Sequence, residues 1–188
     1  MIGYKLTDEN NKTHSECQWG KNITHRAKGK GKDLCTDDVI HFYRDPFLAV
    51  FANPIQGQYK EETMHLWECE CEEVITDGLK SGAKELTTTK QIPIPKMTLE
   101  QRLEISIRLA MKIYRQKEWL KWAEAWLSGK DRSVTTVSDA AARDAARDAA
   151  YAAAYAADAA ACVATRAADA KDMDIIKVIH EVVGKERT

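Results

Sequence analysis

The sequence lacks a long apolar run. No stretch of the 188 residues approaches the roughly 18 consecutive apolar residues of a membrane span, because charges interrupt even the alanine-rich part. Met1 leads at once into a segment that ends in Thr7-Asp8, so we expect no signal peptide. The composition therefore predicts a cytoplasmic protein with no membrane partner.

An excess of charge of either sign is also missing. The chain has 28 Lys and Arg residues against 29 Asp and Glu residues, and its formal net charge is −1. No overall field attracts nucleic acid or anionic lipid. The five cysteines are few and odd in number, which suits a reducing compartment better than a disulfide framework.

The motifs of common catalytic sites are absent as well. There is no nucleophile-elbow pattern and no glycine-rich dinucleotide fingerprint. The basic segment from Lys28 to Lys32 contains two glycines, but it lacks the spacing of a phosphate-binding loop and favours an exposed loop. We therefore assign no catalytic residue and no cofactor.

The spacing of His65, Cys69 and Cys71 raises the question of a metal site. Alternate residues of a strand lie about 7 Å apart. Two thiolates on one zinc ion need sulfur atoms about 4 Å apart, given the short Zn–S bonds. We predict no metal site and expect Trp67, Cys69 and Cys71 to pack in a core.

Proline is confined to the first 96 residues, which also carry the strand-like patterns. The predicted fold is α+β: a small mixed or antiparallel β domain over 1–96, followed by an all-α region over 97–188 with a long alanine-rich helix. The alternation from His65 to Glu73 is the clearest strand signal. The other predicted elements are an opening hairpin over 2–19, a strand at 39–43, a helix at 47–52 capped by Asp45 and ended by Asn53-Pro54, an irregular stretch at 79–84 and a strand at 85–94.

Helical spacing governs the second half. Thr98 and Gln101 form a capping-box pattern before a broad apolar stripe. Three tryptophans follow at helical spacing, and such clusters are more often core than ligand site. The predicted helices cover about 98–114, 116–128, 138–170 and 173–183.

Alanine makes up 19 of the 31 residues from Ala140 to Ala170. Alanine has the highest helix propensity, so this tract predicts one long helix. A face of small side chains lets another helix approach closely. We expect packing within the chain or in a homo-oligomer, through a face that consists of Ala146, Ala149, Ala153, Ala157, Ala160 and Ala164.

The first half contains several short motifs: Tyr4-Lys5-Leu6-Thr7, Gln18-Trp19-Gly20, Leu34-Cys35, His41-Phe42-Tyr43, Asp45-Pro46-Phe47-Leu48-Ala49-Val50, Asn53-Pro54-Ile55, Leu66-Trp67-Glu68, Gly78-Leu79-Lys80 and Leu86-Thr87-Thr88. With these motifs the chain resembles a domain of unknown function that is common in phage and prophage genomes. Longer members of that family also resemble the segment from Ala123 to Gly129 and the alanine-rich tail. The resemblance implies a phage-associated accessory protein in the cytoplasm of a bacterial host, and it brings no catalytic residues.

Three functional hypotheses remain. The first is a non-catalytic accessory protein whose β domain binds a host or defence protein, as an anti-defence factor would. The second is an ADP-ribosyltransferase-like enzyme or nucleotide-binding domain, which requires a concave pocket that includes His41, Tyr43 and Glu85. The third is a nucleic-acid contact through Lys21–Lys32, which the net charge disfavours. The candidate binding residues are His41, Tyr43, Arg44, Lys28, Lys30 and Lys32.

Overall fold

The chain divides into two compact units, Met1–Lys96 and Met97–Thr188. The structure, a computed structural model, describes residues 1–14, 16–113, 115, 117–130 and 174–184. The alanine tract and its packing face lie outside these residues. The helix over 138–170 and its role in packing or oligomerisation therefore stay predictions.

The N-terminal unit is built on an antiparallel sheet, which settles the predicted β domain as antiparallel. In the described residues it has five strands in the order β1-β4-β5-β2, with β3 also paired to β5. A single helix, α1, follows β3. The elements are β1 (Ile2–Thr7), β2 (Ile23–Arg26), β3 (Ile40–Phe42), α1 (Pro46–Gln56), β4 (His65–Thr76) and β5 (Ser81–Ile92).

The sheet curls round until its outer strands meet. Directly after β3, Tyr43 pairs with Tyr4 of β1, and each backbone N–H donates to the other residue's carbonyl oxygen at 2.8 Å. Strands β1, β4, β5 and β3 therefore form a closed ring. Register shifts along β4, at Glu68/Cys69 and on either side of Glu73, are irregularities of the kind that bend a strand.

The hairpin of β4 and β5 is the longest pairing in the sheet. Asp77 and Gly78 form its turn: the Asp77 carboxylate accepts the N–H groups of Leu79 and Lys80, and Gly78 takes a positive φ of 88°. The strand predicted at His65–Glu73 is confirmed and runs on to Thr76. The prediction of an irregular stretch at 79–84 was wrong, because β5 already begins at Ser81.

The predicted opening hairpin is also wrong. The partner of β1 is β4, with Lys5 opposite Trp67. Among the described residues 13–14 and 16–19, the pairing is limited to one bridge, between Lys12 and Gln18. The polar turn itself exists, since Asp8 accepts the N–H of Lys12 at 2.7 Å. The returning segment lacks the apolar alternation that the long strand β4 offers to β1.

Helix α1 begins as predicted and ends later than predicted. The Asp45 carboxylate accepts the N–H groups of Phe47 and Leu48, which confirms the cap. Pro54 does not end the helix, because it falls in the last turn. The buried Asn53 stabilises the C-terminal end of α1 and the residues that follow it. Its carbonyl accepts the Gly57 N–H, and its side chain makes two hydrogen bonds with the backbone of Tyr59.

The interior of the curled sheet is a compact apolar core. Gly3 lies against it so closely that an added Cβ would be 2.4 Å from Phe42 Cδ2 and 3.3 Å from Cys69 Sγ. Cys69 is fully buried, as the sequence predicts, and the pKa of its thiol is raised by a side-chain hydrogen bond with Cys71 and by burial. The core cluster contains Trp19, Phe42, Cys69, Ala83 and Leu86, with Cys17, Ile40 and Cys71 packed against it.

The described helices of the C-terminal unit coincide within two residues with three of the predicted ones. They are α2 (Leu99–Ile113), α3 (Lys117–Leu127) and α4 (Ile175–Val183). The predicted capping box is confirmed, since the Thr98 N–H donates to Gln101 Oε1 at 2.8 Å and the Gln101 N–H donates to Thr98 Oγ1 at 3.1 Å. Asp174 caps α4 through the Lys177 N–H.

The apolar stripes of these helices form the core of this unit. Ile107 of α2 packs with Ala123 and Trp126 of α3, and α4 packs on α2 with its buried side chains at Ile175, Val178, Ile179 and Val182. Trp126 is thus a core residue, whereas Trp122 is exposed. Among the described residues, no helix combines the length and apolarity that a membrane crossing requires.

The close approach at Gly3 gives a test of the curled sheet. We expect Gly3→Ala to lower the free energy of unfolding by about 1–3 kcal/mol, because the new methyl group overlaps the Phe42 ring. Urea denaturation followed by tryptophan fluorescence measures the loss. Gly20→Ala is the control with a smaller expected loss, since its methyl group meets only the flexible end of Ile23. Equal stability of the two variants would contradict the packing described.

Candidate functional site

A cavity of about 520 Å³ opens between the loops at one end of the curled sheet. Its size suits a small organic ligand. Among the described residues, the basic side chains in its wall are Lys5, Arg26, Lys28 and Lys80, and the one acidic side chain is Asp37. The other chemically active groups of the wall are His14, His25, His41, Cys17, Cys35, Tyr43 and Tyr59.

Lys5 connects the cavity with the core. It lies on β1, its Nζ donates to the carbonyl oxygen of His41 at 2.6 Å, and it stands 5.2 Å from the centre of the Trp19 ring. Burial lowers the pKa of Lys5 to about 8, although the neighbouring thiols of Cys69 and Cys17 act in the opposite direction. The amine therefore remains mostly charged at pH 7.

His41 is held in one tautomer. The backbone N–H of Cys35 donates to His41 Nε2 at 2.9 Å, so this nitrogen carries no proton and the neutral ring is protonated at Nδ1. Burial lowers the pKa of His41 to about 4, with further contributions from the Lys5 and Lys80 cations. The bond also fixes Cys35, whose φ of 64° is unusual for a residue with a side chain.

The loop between β2 and β3 is fixed from inside. Gly31 donates its N–H to the Asp38 carboxylate at 2.8 Å, and this bond is the main reason that the pKa of Asp38 is lowered. Lys84 Nζ donates to the carbonyl oxygens of Gly29 (3.2 Å), Gly31 and Asp38 (2.7 Å). The half-buried Asp38 and Lys84 thus hold the backbone on which Lys28, Lys30 and Lys32 are exposed.

The predicted binding residues fall into three groups. His41, Tyr43 and Lys28 line the cavity, whereas Lys30 and Lys32 are exposed on the adjoining loop. Arg44 is engaged elsewhere, in a two-point pair with the Glu73 carboxylate that lowers the pKa of Glu73.

Glu85, the third residue of the ADP-ribosyltransferase-like hypothesis, does not line this cavity. Its carboxylate pairs with Arg26 Nε at 2.5 Å on the exposed face of β2 and β5. His65, which invited the thought of a metal, bonds to Asn11 through Nδ1 at 2.7 Å. Among the described residues, no group of three or more His, Cys, Asp or Glu side chains is placed to hold a metal ion.

Sequence reasoning missed Lys5, Tyr59 and Lys80 as part of the wall. Lys5 alternates with Gly3 and Thr7 along β1, and none of these three residue types indicates a core-facing position. Lys80 sits in the β4–β5 turn, and Tyr59 is placed by the Asn53 side chain. Neither position follows from periodicity.

Comparison of the chain with protein-family models, with curated proteins and with solved structures found no match. The resemblance to the phage and prophage family stays a prediction.

His41 gives the candidate site a pH signature. Its pKa is about 4 in the fold and near 6.5 when unfolded, so the unfolded chain binds more protons between these values. Stability is therefore retained above pH 6.5 and lost as the pH falls towards 4, by about 1–2 kcal/mol at pH 5. The titratable and charged groups that act on the ring are Lys5, Lys80 and Asp77.

Urea denaturation at pH 7 and pH 5 measures this contribution. His41→Gln, which keeps an acceptor for the Cys35 N–H, should lose less stability between the two pH values than the wild type. His180→Gln on α4 is the control and should behave as the wild type. An unchanged pH dependence in His41→Gln would contradict the neutral, buried state of this ring.

The anchored loop gives a second prediction. We expect Asp38→Ala to speed trypsin cleavage after Lys28, Lys30 and Lys32, because the Gly31 N–H loses its acceptor and the backbone loosens. Limited proteolysis with mass spectrometry reports the cleavage sites. Asp37→Ala keeps the Asp37 carbonyl that accepts the Gly29 N–H, so it serves as the matched control. Equal cleavage of the two variants would show that Asp38 does not hold the loop.

Proposed function

We propose that the chain is a non-catalytic accessory protein that binds a protein partner through its N-terminal unit. The contact surface would be the basic loop, defined as residues 28–32, beside the mouth of the cavity. Its chemistry suits an acidic patch on the partner, because like-signed lysines on a fixed backbone provide electrostatic complementarity.

The observation that carries this proposal is that the basic loop is exposed and yet anchored. Within the described residues, the amines of Lys28, Lys30 and Lys32 make no ion pair. The side chains of Asp38 and Lys84 hold the loop by hydrogen bonds to backbone groups. A loop that is already ordered loses little conformational entropy when it binds.

The state of the acid and base groups supports binding over catalysis. His41 Nε2 is occupied by the Cys35 N–H, and Glu85 is paired with Arg26. These are two of the three residues that the enzyme hypothesis needs. Both are committed to bonds within the fold, and only His41 lines the cavity.

A protein partner is favoured over nucleic acid for two reasons. A phosphate bound by the loop backbone would need the Gly31 N–H, which the Asp38 carboxylate already takes. The loop also continues into the exposed Asp33 and Asp37, which weaken its attraction for a polyanion.

The resemblance to phage and prophage proteins supplies the biological setting of the proposal. In that setting the partner would be a host or defence protein, and the protein would act in the cytoplasm of the bacterial host. The alanine tract would add a close-packed helix or an oligomer. These parts rest on the sequence.

Capture of partners from a bacterial lysate tests the proposal. A tagged full-length chain is compared with the triple variant Lys28→Glu, Lys30→Glu, Lys32→Glu, and captured proteins are quantified by mass spectrometry. We expect the triple variant to retain at least about tenfold less of the partner, because charge reversal turns attraction into repulsion.

The matched control reverses three exposed lysines of the C-terminal unit, Lys112, Lys117 and Lys121. It should capture the partner as the wild type does. Equal capture by both triple variants would overturn the proposal, and so would capture that nuclease treatment removes, since that result would indicate nucleic acid.

A further inference from the structure

The cavity contains a cation without a counter-ion. Lys5 Nζ has one hydrogen bond, to a neutral carbonyl oxygen, and in the part of the chain that the structure describes no carboxylate lies within ion-pair distance of it. The ionisable groups that act on Lys5 are the thiols of Cys17 and Cys69. A partly buried charge is normally kept only where an opposite charge balances it.

Two other cations of the same unit, Lys84 and Arg44, have partners that balance their charge. The cation of Lys84 is surrounded by three carbonyl oxygens, and the Arg44 guanidinium has a two-point carboxylate partner. Lys5 has neither arrangement. The opening of the cavity beside it leaves room for a group that enters from outside.

His41 adds a donor of the right kind. Because Nε2 accepts the Cys35 N–H, the proton of the neutral ring is on Nδ1, and none of the described residues accepts it. His41 lines the same cavity as Lys5, and the Lys80 amine is held at the wall by Gln56 at 3.2 Å. Two cations and one neutral N–H donor make a lining suited to oxygen atoms that carry negative charge.

The wall of the cavity also contains an aromatic pair, His14 and Tyr59. The rings of His14 and Tyr59 stack with their centres 5.3 Å apart and their planes 18° from parallel. Burial raises the pKa of Tyr59 to about 12, so its phenol remains protonated at neutral pH. A flat, half-apolar surface of this type favours a planar ring in the ligand.

We propose that the cavity binds a small organic anion, a carboxylate or phosphate group attached to a planar ring, with the anionic group against Lys5 and the ring near Tyr59. This inference concerns a small molecule and does not depend on the protein partner proposed above. The main observation behind this inference is that Lys5 lacks a counter-ion among the described residues, and the cavity volume limits the size of the ligand.

Thermal-shift and calorimetric titrations of the full-length chain test the inference with three probes. Adenosine 5′-monophosphate carries a phosphate and a ring, 4-hydroxybenzoate carries a carboxylate and a ring, and inorganic phosphate carries charge alone. We expect one of the two ring-bearing probes to bind at millimolar concentration or below, and more tightly than inorganic phosphate.

Lys5→Met is the decisive variant, because it keeps most of the side-chain volume and removes the charge. It should weaken binding of the successful probe by about tenfold or more, the usual effect of losing a charged partner. Its ligand-free melting temperature should equal or exceed that of the wild type, because an unbalanced charge is removed. Lys90→Met is the matched control: Lys90 is exposed on β5 and pairs with Glu68.

Each result of these titrations either supports or overturns the proposal. Loss of binding in Lys5→Met with retention in Lys90→Met supports the site. Failure of all three probes to bind the wild type overturns it, and so does equal binding by both lysine variants. Tighter binding of inorganic phosphate than of either ring-bearing probe overturns the role given to the aromatic wall. A Lys5→Met variant that melts well below the wild type would show a structural role for the charge and would also overturn the proposal.

Discussion

Two backbone hydrogen bonds between Tyr4 and Tyr43 determine which side chains the N-terminal sheet encloses. They join β1 to the end of β3 and close the ring of strands. Because side chains alternate along a strand, this contact places Gly3 and Lys5 on the inner face of β1. In an open sheet the Lys5 amine would lie in water. The closure brings it beside Trp19 and the carbonyl oxygen of His41.

The connection between β2 and β3, the 13 residues from Ala27 to Val39, has its own anchors. Val39 is the one buried residue in it, so apolar packing holds only its end. Polar contacts hold the rest: Asp38 accepts the Gly31 N–H, and His41 accepts the Cys35 N–H. A segment fixed by hydrogen bonds can keep its charged side chains exposed.

Local signals explain which features could be predicted from the sequence. Asp45, Thr98 with Gln101, and the alternation in β4 act over a few residues, and the structure confirms each of them. The pairing of β1 with β4 brings together residues that are 58 to 68 positions apart in the sequence. A polar turn such as the one at Asp8 says only that the chain reverses there. It does not say which strand will pair with β1.

The candidate site was predictable only in part for the same reason. His41, Tyr43 and Lys28 stood out because of their residue types in one neighbourhood of the sequence. Lys5 reaches the cavity through a long-range contact in the closed ring, and Tyr59 is placed by hydrogen bonds with the Asn53 side chain beyond the end of α1. Residue type suggests which chemistry is possible, whereas the closure of the sheet decides which side chains meet.

The two proposals share one segment of chain, and this has a thermodynamic consequence. Lys28 belongs to the basic loop and also to the cavity wall, and the same segment runs through Cys35 to His41. A small anion bound at Lys5 can change how this segment is held, and thereby the affinity of the loop for its partner. In that case the bound partner changes the affinity of the cavity for the anion by the same factor. Because Asp38, Lys84 and His41 fix the segment in the absence of either ligand, we expect any such coupling to act on these anchors. The strength of the anchors therefore sets how far the two binding events can influence each other.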